Sequence, residues 1–306
     1  MSKYVKQNLY ARLLQSQSQQ IQTFSLSEKF TDPNTKTDSF LNVQNQKVIP
    51  ASVIARMYAL RSAFRTVDAE VQKISHWSFQ GSTALAVLLH QTKVRHPSYL
   101  EGVDAHEKTV LLSANVGDSR AVLCRDALAI QLTRDHKPND PIERRRVEKV
   151  GGKVNRVHGV YRINGNLSLS RAIGDRSERP AVNADVDIQQ LELDEEKDEF
   201  VILATDGVFD VFSNQDLVDF IRDVMNSPTT RWNSIDASDG KFSISDTKGT
   251  QESGIVTQKD ETVKISELHE SVMKTRRKLM AQYVVEEALR RGSMDNISTV
   301  IVWLKE

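Results

Sequence analysis

The stretch FVILATDGVFDVF, Phe200 to Phe212, most constrains what this chain can fold into. Its apolar run ends abruptly on Asp206, then Gly207, with a second carboxylate at Asp210. A short continuous apolar run closed by a turn signal reads as a strand buried on both faces. Burying an unpaired carboxylate is costly, so this strand must end in water or against a counter-charge. GSTALAVLLH, from Gly81, has the same character, and NISTVIVWL closes the chain as another strand. Between them, KTVLLSANVGDSRAVLCRDALAIQLT splits into three short runs at Gly117-Asp118 and Arg125-Asp126, which predicts an antiparallel meander. Gly151-Gly152 and Asn164-Gly165 signal further turns.

Helical periodicity fills the gaps between these runs. Val5, Leu9 and Leu13 share one face of a helix over residues 1 to about 22. Ile54, Met57, Leu60, Phe64, Val67 and Val71 do the same from Ala51 to about Ile74. Ser213 with Asp216 forms a capping box ahead of Leu217, Phe220, Ile221 and Val224. Residues 227 to about 265 are polar and aperiodic, and they read as a surface insertion. A long helix then runs to about Arg291, with Met273 and Met280 as core filler. Strands in antiparallel groups with helices between the groups predict an α+β fold.

Composition narrows the function classes. Lys plus Arg equals Asp plus Glu at 41 each in 306 residues, which argues against general affinity for nucleic acid or acidic membranes. No tract of about 18 apolar residues exists for a membrane span, and the polar N-terminus lacks the apolar centre of a secretory signal. The single cysteine, Cys124, excludes an intramolecular disulfide framework and fits a reducing compartment, so cytoplasm or nucleus is the expected location.

Several chemistries find no residues to carry them. The chain has no G-x-x-x-x-G-K-[ST] phosphate loop, no G-x-S-x-G elbow around Ser168 or Ser170, and no H-E-x-x-H. Ile130 stands six positions after Cys124, where a cysteine-phosphatase loop needs arginine. What remains is a set of carboxylates at abrupt positions: Asp118 in NVGDSR, Asp206 and Asp210 bracketing a strand end, and Asp295 entering the last strand. Each alone reads as a cap or Asx turn. Together they say more, because Asp206 leaves one apolar strand and Asp295 enters another. If those strands are antiparallel neighbours, both carboxylates lie at one sheet end. Oxygen donors without His or Cys select hard cations, Mg²⁺ or Mn²⁺.

Seven segments in order then carry a resemblance: GSTALAV, ANVGDSRAVL, LTRDHKPND, ERRRVEKVGGKV, YRINGNLSLSRAIGD, VILATDGVFDV and SMDNISTVIV. From Gly81 to Leu304 the chain resembles the metal-dependent protein serine/threonine phosphatases of type 2C. The resemblance implies a sandwich of two antiparallel β-sheets flanked by helices, built as a single domain over residues 1–306. It implies hydrolysis of phosphoserine and phosphothreonine in phosphoprotein substrates by a metal-activated water, and a monomer. It also implies that Asp206 and Asp295 ligate a metal pair, that Asp118 and Asp210 help hold a weaker third ion, and that the region after SLSRAIGD borders the substrate cleft.

The departures from the family pattern matter equally. The family's Asp-Gly-His-Gly-Gly segment, which supplies a bridging carboxylate and a proton donor, does not occur here, nor does its phosphate-gripping arginine. MSKYVKQNLY is similar to the family helix that follows that segment. The expectation is therefore an N-terminally truncated domain lacking several strands, with exposed sheet edges and impaired catalysis. No catalytic residue is identified, and a non-catalytic binding or decoy module is the alternative. Arg144, Arg145 and Arg146 read as a solvated helix face. His136 reads as a hydrogen-bonding residue, and Arg171 as an anchor paired bidentately with a carboxylate.

Overall fold

The computed structural model describes residues 1–24, 49–94, 106–227 and 258–305, which fall into two compact units. The first comprises Met1–Val122 with Gln131–Asp198, the second Leu123–Ile130 with Glu199–Glu306. Antiparallel sheets and helices make both, so the α+β class holds. Among the described residues no helix is long and apolar enough to cross a membrane.

In the first unit, helices α1 (Ser2–Phe24) and α2 (Ala51–Gln72) pack on each other. The periodic residues do what their spacing requires: Val5, Leu60, Phe64, Val67 and Val71 are buried in one cluster. That cluster includes Leu112, Ala114 and Val116 of strand β3 (His106–Val116). β3 is the middle strand of three, between β2 (Ala84–Val94) and β9 (Asp187–Glu192). Strand β1 (Gly81–Ser82) pairs with β8 (Ile173–Gly174), bringing the SLSRAIGD segment back to Gly81. Helix α3 (Pro141–Lys149) starts where Asp140 accepts hydrogen bonds from the backbone N–H groups of Ile142 (2.8 Å) and Glu143 (3.2 Å), with Pro141 in the first turn. Strands β6 (Val154–Val157) and β7 (Val160–Ile163) follow as a hairpin. Its two-residue turn places His158 at φ 49° and Gly159 at φ 86°, both in the left-handed region that such a hairpin requires.

In the second unit the sheet order is β11 (Thr299–Trp303), β10 (Asp198–Ala204), β4 (Arg120–Arg125), β5 (Leu128–Gln131). β4 begins in the first unit and ends in this one. Phe200, Val201 and Ile202 are fully or almost fully buried, as the apolar run predicts, and Phe200 meets Trp303 edge-on at 5.2 Å. Helices α4 (Asp206–Phe209), α5 (Asn214–Asn226) and α6 (Gln258–Arg290) complete the unit. The capping box is present: Ser213 Oγ accepts from Asp216 N at 3.1 Å, and Asp216 accepts from Ser213 N at 3.2 Å. Replacing Ser213 with alanine is expected to destabilise this unit by about 1 kcal/mol, read as a lower urea midpoint with unchanged slope.

Three expectations need correction. The meander does not form across Gly117-Asp118, because β3 and β4 belong to different sheets; of its three runs only β4 and β5 pair. The GSTALAVLLH strand is not buried on both faces, since Leu89 is 42% exposed. The final helix starts at Gln258, so the last residues of the polar tract 227–265 are helical, while residues 228–257 of that tract lie outside the described ones.

Candidate metal centre at paired strand ends

The condition posed from the sequence, that the two apolar strands be antiparallel neighbours, is met. β10 and β11 pair from Phe200↔Trp303 to Ala204↔Thr299. The ladder continues one residue further, where Thr205 N donates to the Ser298 carbonyl at 3.0 Å. Thr205 Oγ1 then locks the two chains, accepting from Ser298 N (3.0 Å) and donating to the Asn296 carbonyl (3.2 Å). Asp206 follows Thr205 directly, and Asp295 precedes Asn296, so the pairing carries both carboxylates to the same sheet end. Asp206 is half-buried and Asp295 exposed. This strand ends towards water.

Gly207 has a different task from the sharp turn its sequence context implies. Its backbone is helical within α4, and an added Cβ would stand 2.7 Å from the Asn296 carbonyl oxygen. Close approach to the Asp295-Asn296 strand entry, held also by Ser293 Oγ donating to the Gly207 carbonyl at 2.6 Å, therefore fixes a glycine here. Asp210 sits one turn on from Asp206, its N–H donating to the Asp206 carbonyl at 2.8 Å, with its side chain exposed.

Asp118 belongs to the first unit and is only 5% exposed. Its carboxylate forms an ion pair with Lys137. The turn that presents it is clamped by His136. Gly117 N donates to His136 Nδ1 at 3.0 Å, and His136 N donates to the Gly117 carbonyl at 3.0 Å. Because Nδ1 accepts, Nε2 carries the ring hydrogen and donates to Asp187 Oδ2 at 3.0 Å. Both ring nitrogens are thus engaged in holding a turn.

Behind His136 lies a buried charge network of which the sequence pointed only to Arg171. Arg171 grips Glu143 with Nε (3.1 Å to each oxygen) and Nη2 (2.5 Å), while its Nη1 reaches Asp187 Oδ1 at 2.8 Å. Arg171 is the bidentate anchor expected. Glu143 is fully buried and also accepts from Ser170 Oγ (2.7 Å) and Arg146 Nε (3.1 Å). Arg146 therefore turns inward, unlike exposed Arg144 and Arg145 on the same helix. Burial alone would raise the Glu143 carboxyl, but hydrogen bonds and charge from Arg171, with help from Ser170 and Arg146, hold it at about 2. Burial is likewise outweighed at Asp187, where His136, Arg171 and Arg134 keep the carboxyl below the usual range. The one sequence signal for Glu143 was its i, i+4 spacing to buried Val147.

Cys124 offers no alternative nucleophile. It is fully buried, and burial with nearby Glu199 pushes its thiol up to about 11. As for a metal, Asp206 and Asp295 supply the carboxylate oxygens that hard cations take, but such ions take about six oxygens. Among the described residues no three His, Cys, Asp or Glu side chains converge to hold one. The residues present fit such an ion in kind and fall short in number.

Comparison with known proteins gives a consistent result. The family model for protein phosphatase 2C matches residues 2–238. Protein phosphatase 2C 77 of Arabidopsis thaliana is 32% identical over 248 residues, 81% of this chain and 48% of that protein. The PP2C-like domain-containing protein R307 of Acanthamoeba polyphaga mimivirus is 35% identical over 198 residues, 63% of this chain and 93% of that protein. A solved serine-threonine phosphatase 2C from Toxoplasma gondii matches with a TM-score of 0.57 at 17% identity, covering 99% of this chain and 80% of that one, which speaks for the fold alone. The chain spans 33–52% of the length of three plant relatives.

Proposed function

The chain belongs to the protein phosphatase 2C family, and we propose that it acts on phosphoserine- and phosphothreonine-bearing proteins through the strand ends of its second unit. The observation that carries this reading is the β10–β11 register, which brings Asp206 and Asp295 to one sheet end. We take Mg²⁺ or Mn²⁺ as the cation these donors suit, bound weakly because two carboxylates leave most of its coordination to water. When bound, such an ion supplies positive charge for a phosphoryl group and acidifies water. The protein's own contribution is positional. Thr205 Oγ1 and Ser293 Oγ fasten the two strand ends, so Asp206 and Asp295 are fixed relative to each other before any ligand arrives.

Hydrolysis of a phosphomonoester is the reaction the family implies, and we place this chain at reduced turnover because its donor set is short. The test is phosphate release from a phosphothreonine peptide with and without Mn²⁺. Slow release that requires Mn²⁺ and is lost in Asp206→Asn supports the reading. Release that ignores both Mn²⁺ and Asp206→Asn overturns it. Turnover near an ordinary enzyme's, about 10 s⁻¹, would overturn the claim of reduced turnover. Stoichiometric phosphopeptide binding without release would favour the binding-module alternative, for which the short donor set also speaks.

A further inference from the structure

The chain is neutral overall, yet residues 141–167 hold seven Lys and Arg against two Glu. Both acids are already committed: Glu143 is buried under Arg171, and Glu148 pairs with Arg144 at 2.8 Å. Arg146 is turned inward, which leaves Arg145, Lys149, Lys153 and Arg156 exposed and Arg162 half-exposed. Among the described residues none of these five meets a carboxylate. The three arginines among them bond backbone carbonyls: Arg145 to Pro141 (3.0 Å), Arg156 to Gly159 (3.1 Å) and Arg162 to Asn166 (2.6 Å). Such bonds hold the guanidinium groups in place and leave their charge uncompensated.

The charge is also organised around an aromatic ring. Tyr161 and Arg156 are cross-strand partners in the β6–β7 hairpin, with the guanidinium 5.9 Å from the ring centroid. A 38% exposed tyrosine thus lies against an arginine across the hairpin. Exposed tyrosine flanked by arginine is the composition of a protein-binding hot spot, and guanidinium groups pair bidentately with carboxylates.

We infer that the α3/β6–β7 surface, centred on Tyr161 and Arg156, docks an acidic segment of a protein substrate. The extent of the surface favours a peptide over nucleic acid. Each hairpin strand has four residues, about 13 Å of extended chain, which matches a few residues of an extended acidic segment. A duplex laid there would have few phosphates neutralised, and its binding would be weak and salt-sensitive. The docking claim concerns substrate selection and rests on the phosphatase reading only for the role of the docked protein.

The experiment uses the full chain and fluorescein-labelled peptides with a phosphothreonine in an Asp/Glu-rich flank, the same acidic peptide without phosphate, and a phosphopeptide with a Ser/Gln flank. Anisotropy is expected to show both acidic peptides binding about tenfold more tightly than the neutral one at low salt, the sum of a few exposed ion pairs. The double variant Arg145→Glu, Arg156→Glu is expected to abolish that preference. The charge-matched control Lys274→Glu, Lys278→Glu, on the exposed side of α6, should keep it. Equal affinity for acidic and neutral flanks overturns the proposal, as does a preference that survives the Arg145/Arg156 exchange in a variant with unchanged circular dichroism. Tighter binding of a charge-matched single-stranded oligonucleotide or of phosphatidylserine vesicles also overturns it. Binding of the unphosphorylated acidic peptide with no phosphate release from any peptide upholds docking while the phosphatase reading fails. Mn²⁺-dependent release at equal kcat/KM from acidic and neutral peptides does the reverse.

Discussion

Replacing Arg171 with leucine is expected to destabilise the first unit by about 3–5 kcal/mol, because it leaves the buried Glu143 carboxylate without its main partner. Arg146 would remain on Glu143, and Arg134 and His136 on Asp187, but the bidentate grip and its fixed geometry would be gone. Hydrogen exchange of β9 and of the turn at Gly117 should accelerate together, since Asp187 and His136 connect them. Unchanged exchange at both places would show the network to be an ornament of the fold.

The same network sets an acid limb. Glu143 has a folded-state pKa of about 2 against an ordinary 4.5, so its contribution is fully present above about 4.5. That contribution is lost as pH falls from there through about 2. Asp187, also depressed, acts in the same direction. Glu143→Gln should therefore lower stability at neutral pH and flatten the decline over that window. A variant whose acid limb is as steep as the wild type's would place the titrating group elsewhere.

How far this was legible in the sequence depends on the range of the interaction. Helices α1, α2 and α5 were readable because their determinants are local: Leu60, Phe64, Val67 and Val71 recur at helical spacing, and Ser213 and Asp216 cap within three residues. The pairing of β10 with β11 stood in the sequence only as a condition, suggested because both runs are strongly apolar and each abuts an aspartate. The switch of sheets at Gly117-Asp118 could not, because a tight turn signal is identical whether the next strand pairs with its predecessor or with β10. The Glu143–Arg171 pair lies 28 residues apart in sequence. Within PIERRRVEK only the i, i+4 spacing to Val147 hints that Glu143 faces inward, and that spacing does not say which residue will pair with it. At the candidate site the sequence order identified Asp206 and Asp295 as companions, while the clamp made by Thr205 and Ser293 and the steric need for Gly207 emerged only from the packing of the two strand ends.

The other large effect belongs to that site. Removing either strand-end carboxylate, Asp206→Asn or Asp295→Asn, should weaken Mn²⁺ binding by well over tenfold, a loss at least as large as that from disturbing a ligand's supporting residue. Neither change should harm the fold, because Thr205 and Ser293 fasten the strands independently of both carboxylates. Asp219→Asn, an exposed acid on α5 that accepts from Gln215, serves as the control for lost negative charge.

The most direct test is a Mn²⁺ titration followed by the electron paramagnetic resonance signal of the free ion, with the wild-type chain, Asp206→Asn, Asp295→Asn and Asp219→Asn measured side by side. The account predicts one weak site in the wild type, retained in Asp219→Asn and lost in both strand-end variants. Binding that survives in Asp206→Asn and Asp295→Asn, or falls equally in Asp219→Asn, would contradict it.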